Sequence, residues 1–292
     1  MLETEVKDVK QEGVKLQVDG GEVEAMCEKV TMSMIDGKMV TNLLNCGGAY
    51  CTMCTKSQEE SQKVETIEDG FLIDRTLEGI RDLALSLANP SNPEEIRKRK
   101  GDYETRQGVC GLPITETDVT INIRVCHSKI RIFEWVTDLV VRNDSHKKWR
   151  TNTNGVKYTD DEKETFKAKR EEIKELVYQN LAINIGNPGD MVTGKAFVKF
   201  SCDASRAFYA SLVEEDIRDD FSLILLGLSA AVKVINSQKR LVNTEKLREL
   251  TKEVNLLIVK CFPWAAISQS VHRILAHSWQ VIDMNGGFGL GI

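Results

Sequence analysis

Two residue pairs carry the sharpest chemistry in the sequence. One is Cys51-Thr-Met-Cys54; the other is His272-Arg-Ile-Leu-Ala-His277, which takes two of only four histidines. Together they offer two thiolates and two imidazoles, the number and type of donors that tetrahedral zinc takes. Two obstacles stand against that reading. Cys54 and His272 are 218 positions apart, far beyond a local zinc-finger spacing, and positions five apart on an ideal helix differ by about 140°. A helix carrying both histidines must therefore fray or bend before both rings meet one ion. On residue types alone, Cys51 and Cys54 also read as a redox pair or as two buried thiols. The redox reading is weaker, because no β-α-β pattern surrounds them. His272 also reads as a polar position on an amphipathic helix, and His277 as a hydrogen-bonded core imidazole.

Asp36 closes an apparent strand and precedes Gly37. Enzymes of nucleotidyl transfer converge several carboxylates on two divalent ions. A strand-end Asp suits that role, although most Asp-Gly pairs are simply turns. Two basic runs, Arg97-Lys-Arg-Lys100 and His146-Lys-Lys-Trp-Arg150, suit phosphate contacts or a nuclear address, and equally a solvated helix end or surface loop. The Gly286–Gly291 run follows no strand and opens no helix, so it reads as a flexible end rather than a phosphate cradle.

The elements that must position these residues follow from patterning. Val14–Val18 alternates, Asp19-Gly20-Gly21 signals a turn, and Val30–Ile35 alternates again. A short helix is expected over Lys38–Leu44, and Cys46–Cys54 reads as a glycine-opened knuckle. Beyond it the periods become helical: Ile73–Leu87, a start at Asn92-Pro93, Asp160–Leu181, Asp203–Asn236, Asn243 to about Cys261, and Ala265–Ile282. Residues 121–141 are ambiguous between strand and helix. The fold class expected is mainly α with a small β portion.

Composition narrows the functional classes. With 39 Lys and Arg against 44 Asp and Glu, the chain carries a formal charge of −5, which excludes an all-over basic coat on nucleic acid. The longest apolar stretch, Phe221–Val232, is too short for the ~20 residues of a membrane span, and no membrane partner is expected. The N-terminus has no basic patch followed by an apolar core, so no signal peptide is expected. Without one, eight cysteines in 292 residues fit reduced thiols or metal ligands better than a disulfide framework.

Four motifs in order then resemble one family. They are Asp36-Gly-Lys-Met-Val, Ala49-Tyr-Cys-Thr-Met-Cys54, Gly108-Val-Cys-Gly-Leu-Pro-Ile-Thr-Glu-Thr117 and Val271-His-Arg-Ile-Leu-Ala-His277. Their order and spacing are similar to the catalytic core of the large V(D)J recombination-activating subunit and of Transib-type transposases. The hairpin around Asp19-Gly20-Gly21 and the Asn184-Ile-Gly-Asn187 loop extend the likeness over most of the chain.

The resemblance implies a helical zinc-binding insertion domain attached to part of a ribonuclease-H-like, D-D-E fold. Its segments would be a partial catalytic segment at 1–45, the insertion at 46–282 and a Gly-rich tail at 283–292. It implies one structural Zn²⁺ on Cys51, Cys54, His272 and His277, which would account for the long gap. Asp36 would be the second catalytic carboxylate, taking Mg²⁺ or Mn²⁺. The other two carboxylates would lie upstream of Met1 and shortly after Ile292, leaving this chain catalytically incomplete alone. Cys126-His127-Ser128 departs from the family pattern. The implied activity is DNA strand cleavage and transfer in a longer protein; the alternative is a stand-alone zinc-stabilised module binding DNA or protein. Implied partners are terminal-repeat or recombination-signal DNA, a second copy of the chain and a second recombination-activating subunit, in the nucleus.

Overall fold

Period-3.6 apolar patterning dominates the sequence after residue 60, and helix accounts for most of what the computed structural model describes. The described residues are 14–18, 21–25, 31–32, 37–46, 50–87, 107–114, 120–121, 125–143, 159–181, 203–235 and 243–285. Asp36, both basic runs, the Asn184–Asn187 loop, Glu116-Thr117 and the Gly286–Gly291 run lie outside them. Contacts divide the chain into two units, one of Met1–Ser57, Ile73–Arg124 and Leu290–Ile292, the other of Gln58–Leu72 and Val125–Gly289.

The first unit holds the β structure. Strands β1 (Val14–Val18) and β2 (Gly21–Ala25) form an antiparallel hairpin, running from the Val14–Ala25 pair to Val18–Gly21. That register puts the Asp19-Gly20 turn signal between the last pair. Lys15 Nζ meets Glu22 at 3.1 Å on its exposed face. Within the alternation over Val30–Ile35 the described residues form a strand, β3 (Thr31–Met32), paired in parallel with β4 (Thr120–Ile121). Helices α1 (Gly37–Leu43) and α2 (Leu77–Leu87) bury Val40, Leu44, Leu77, Ile80 and Ala84 together with Cys46 and Val109. The helix expected from Ile73 starts only at Leu77, where the Thr76 hydroxyl accepts the Gly79 N–H at 3.0 Å.

The second unit is helical. Between the two halves of the first unit come a 3-10 turn (Glu60–Gln62) and α3 (Val64–Asp69). After residue 124 come α4 (Val125–Asn143), α5 (Asp160–Leu181), α6 (Asp203–Ser211), α7 (Glu215–Ile235) and α8 (Thr244–Cys261). The ambiguous stretch at 121–141 thus divides into a strand end and a helix. Helical spacing wins because Ile132, Phe133, Val136, Leu139 and Val140 all become buried. The helical stretch expected over Asp203–Asn236 divides at residues 212–214, where i+3 bonds from Leu212 and Val213 close α6.

The core is built by α4, α6, α7 and α8. Phe133 meets Tyr209 edge-on at 6.1 Å, and Phe221 meets Phe262 at 5.3 Å. Helix α7 contributes Phe221, Ile224, Leu225, Leu228, Ala231, Val232 and Ile235, all at most 1% exposed. This is the apolar stretch noted above. No helix among the described residues is long and apolar enough to cross a membrane. The charged α5 adds a narrow stripe, Ile173 and Val177, and its Arg170 reaches Asp138 of α4 at 3.5 Å.

The end of α8 carries a testable consequence. Burial first, then the Asp220 carboxylate, push the Cys261 thiol up to about 11 from an ordinary 9.0. A folded value above the unfolded one stabilises the protein at lower pH, and that contribution is lost as pH rises through the interval. The decline is expected between pH 9 and 11. Denaturation of wild type and Cys261→Ala across that range checks it: the substitution should flatten the alkaline decline. Parallel pH profiles would refute it.

Candidate metal centre

A tight turn forms the cysteine half. An antiparallel bridge between Tyr50 and Ser57 closes the loop that carries Cys51 and Cys54. Inside it the Met53 N–H donates to Cys51 Sγ at 3.3 Å, so the backbone already supplies hydrogen-bond support to one sulfur. Both cysteines are 1% exposed. Their proximity shows in the Cys54 thiol, which the hydrogen-bonded Cys51 thiol, and then burial, hold above its ordinary value. Two buried thiols side by side resist ionising together. A bound divalent cation reverses that preference, because a coordinating thiol is deprotonated outright.

The Gly108–Ile114 motif packs beside this turn. Gly108 has φ +76°, and a Cβ there would sit 2.6 Å from Tyr50 Cδ2, so both backbone conformation and the Tyr50 ring require glycine. Gly111 similarly leaves room for the Asn45 amide, whose Nδ2 donates to the Leu112 carbonyl at 3.1 Å. The motif therefore has a packing role. It also joins the turn to the end of α1 through the Cys46–Val109 bridge.

Residues Ala265–Ile267 lead into the histidine half. The expected helix from Ala265 begins only at Gln269, where Ser268 caps the start by accepting the Val271 N–H. The approach is pinned by side chains: Trp135 Nε1 donates to the Ala266 carbonyl at 3.0 Å, and Gln58 Nε2 to that of Ile267 at 3.0 Å. Gln62 Nε2 donates to the Ala265 carbonyl. Helix α9 (Gln269–His272) then widens into a π turn over Arg273–His277 before α10 (Ser278–Asn285) resumes.

That π turn removes the angular obstacle seen in the sequence. Its i→i+5 bonding brings residues five apart close to vertical alignment. The His272 and His277 rings consequently lie 5.1 Å apart, edge to face. Phe71, just after α3, contacts both edge-on, at 5.0 Å and 6.3 Å. His277 Nδ1 lies 3.1 Å from Gln280 Oε1. The Gln280 amide thus holds the His277 ring from its Nδ1 side.

One ligand atom from each of Cys51, Cys54, His272 and His277 lies within 4.8 Å of the other three, and all four residues are buried. Zinc bonds of about 2.0–2.3 Å in a tetrahedron set ligand separations of about 3.3–3.8 Å. The donor set, two thiols and two imidazoles, could hold a metal ion such as zinc. The same four residues were singled out in the sequence. Patterning missed their supports: Asp74 and Arg75 beside the turn, and Phe71 and Gln280 beside the histidines. Gln280 alone left a signal, three residues past His277 on one helix face. Comparison with models of known protein families and with curated proteins returns no match.

Proposed function

We propose that the protein holds one structural zinc ion on Cys51, Cys54, His272 and His277. We further propose that it derives from a DNA transposase or recombinase of the recombination-activating and Transib kind. The observation carrying the first part is the buried Cys2His2 cluster. The second part rests on the sequence resemblance, whose order of motifs assigns the same four ligands. In this reading residues 1–45 belong to a ribonuclease-H-like segment, and Asp36 is its metal-bridging carboxylate for Mg²⁺ or Mn²⁺. The partners are terminal-repeat or recombination-signal DNA, a second copy of the chain and a second recombination-activating subunit, in the nucleus. The closed, buried donor set also favours a second reading, a zinc-stabilised module that binds DNA or protein without catalysis.

Zinc content and DNA binding test the proposal together. Purified protein should carry about one equivalent of zinc per chain, falling below half in Cys51→Ser and His272→Ala. Zinc-loaded protein should bind terminal-repeat DNA with an affinity that declines as salt rises. Absence of zinc overturns the metal centre, and absence of binding at low salt overturns the DNA reading. Mg²⁺- or Mn²⁺-dependent nicking that Asp36→Ala abolishes would favour an active recombinase over the binding module.

A further inference from the structure

The residues flanking the cysteine turn carry an inference that rests on the zinc reading and deepens it. Asp74 and Arg75 precede α2 without joining it, and both turn back onto the Cys51–Cys54 loop. The Arg75 N–H donates to the Met53 carbonyl at 3.2 Å, and its Nε to the Cys54 carbonyl at 3.1 Å. Arg75 Nη2 reaches the Gln107 carbonyl at 2.9 Å, and Nη1 the Cys46 sulfur at 3.8 Å. Asp74 takes the next residue: Oδ1 accepts the Thr55 N–H at 2.8 Å and Oδ2 the Thr55 hydroxyl at 2.9 Å. Residues 53, 54 and 55 thus each have a backbone group held from outside the turn.

We propose that Asp74 and Arg75 are positioning residues that pre-form the cysteine half of the metal centre before an ion arrives. A four-residue Cys-x-x-Cys loop left to itself must be ordered by the metal, and that ordering subtracts from affinity. Here a planar guanidinium spans three acceptors and a carboxylate clamps the following residue, so the two sulfurs are already side by side. The guanidinium fork matters, because an ammonium can occupy only one of those points. Outer supports of this kind typically change metal affinity by about 10–100-fold.

The test measures zinc affinity by chelator competition, with the thermal midpoint of the zinc-free form recorded for each variant. Arg75→Met and Asp74→Ala should bind zinc about 10–100-fold more weakly, with cobalt substitution still giving the tetrahedral two-sulfur spectrum. Arg75→Lys should recover little, and Asp74→Asn, which keeps one accepting oxygen, should be intermediate. A general structural role would lower the zinc-free midpoint while leaving affinity unchanged. Affinities within about twofold of a zinc-binding wild type overturn the proposal. Should Arg75→Met fail to fold, the milder Asp74→Asn and Arg75→Lys decide by the same criterion. A wild type that binds no zinc overturns the metal reading itself.

Discussion

Stripping zinc with a strong chelator is expected to lower the thermal midpoint by about 8–16 °C. An ion that binds only the folded chain stabilises it by about 4 kcal/mol at a free concentration of 1,000 times its Kd. In chains of about this size 1 kcal/mol moves the midpoint by about 2–4 °C. The loss is expected at the π turn over Arg273–His277, because Asp74 and Arg75 hold the Cys51–Cys54 turn from outside. Without the ion, two buried imidazoles and two buried thiols stand in close company, an arrangement of polar groups that an apolar interior disfavours. The α4, α6, α7 and α8 core contains none of the four ligands, so most of the far-UV helical signal should persist at room temperature. His277→Ala should reproduce the shift without chelator and add little to it. A midpoint unmoved by chelation would refute the prediction.

The second large effect is expected at Gly227, on the face of α7 that packs against α8. A Cβ there would fall well inside van der Waals contact of Val254 Cγ2. An alanine gains about 1 kcal/mol of helix propensity over glycine, which partly hides the clash. Gly227→Leu removes that ambiguity, since its branch must enter a seam already filled by Val254 and Leu250. Overpacking of this kind costs about 3 kcal/mol, or about 6–12 °C in the midpoint. Cutting back the opposing residue, as Gly227→Leu with Val254→Ala, should return a measurable part of the loss. Such coupling marks residues in direct contact. Additive effects, or a stabilised single variant, would show that the helices separate here without penalty.

Some elements were legible because a local pattern specifies them. Helix α5 runs over Asp160–Leu181 as its charged, narrow-striped sequence predicts, and α8 follows Asn243, whose Oδ1 accepts the Lys246 N–H at 2.9 Å. The β1–β2 hairpin brackets its Asp-Gly signal for the same reason. Elements whose bounds depend on distant contacts were misjudged. Helix α2 starts four residues late because Asp74 and Arg75 face the cysteine turn instead. The strand expected over Val30–Ile35 is seen at Thr31–Met32, where β4 supplies a partner, and its other residues lie outside the described ones.

The sequence by itself supplied the donors, two thiols and two imidazoles, while leaving a redox pair and buried core groups open beside a metal site. It also showed that a regular helix would set the two histidines about 140° apart. How that conflict is resolved was decided by tertiary structure alone. Only the folded chain widens Arg273–His277 into a π turn, seats Phe71 against both rings and brings Gln280 to the His277 ring. Only it places Asp74 and Arg75, some twenty positions along the chain, around the Cys51–Cys54 loop. Periodicity reports which face of an element is apolar; it carries no record of which polar groups, far apart in sequence, will complete one another's hydrogen bonds.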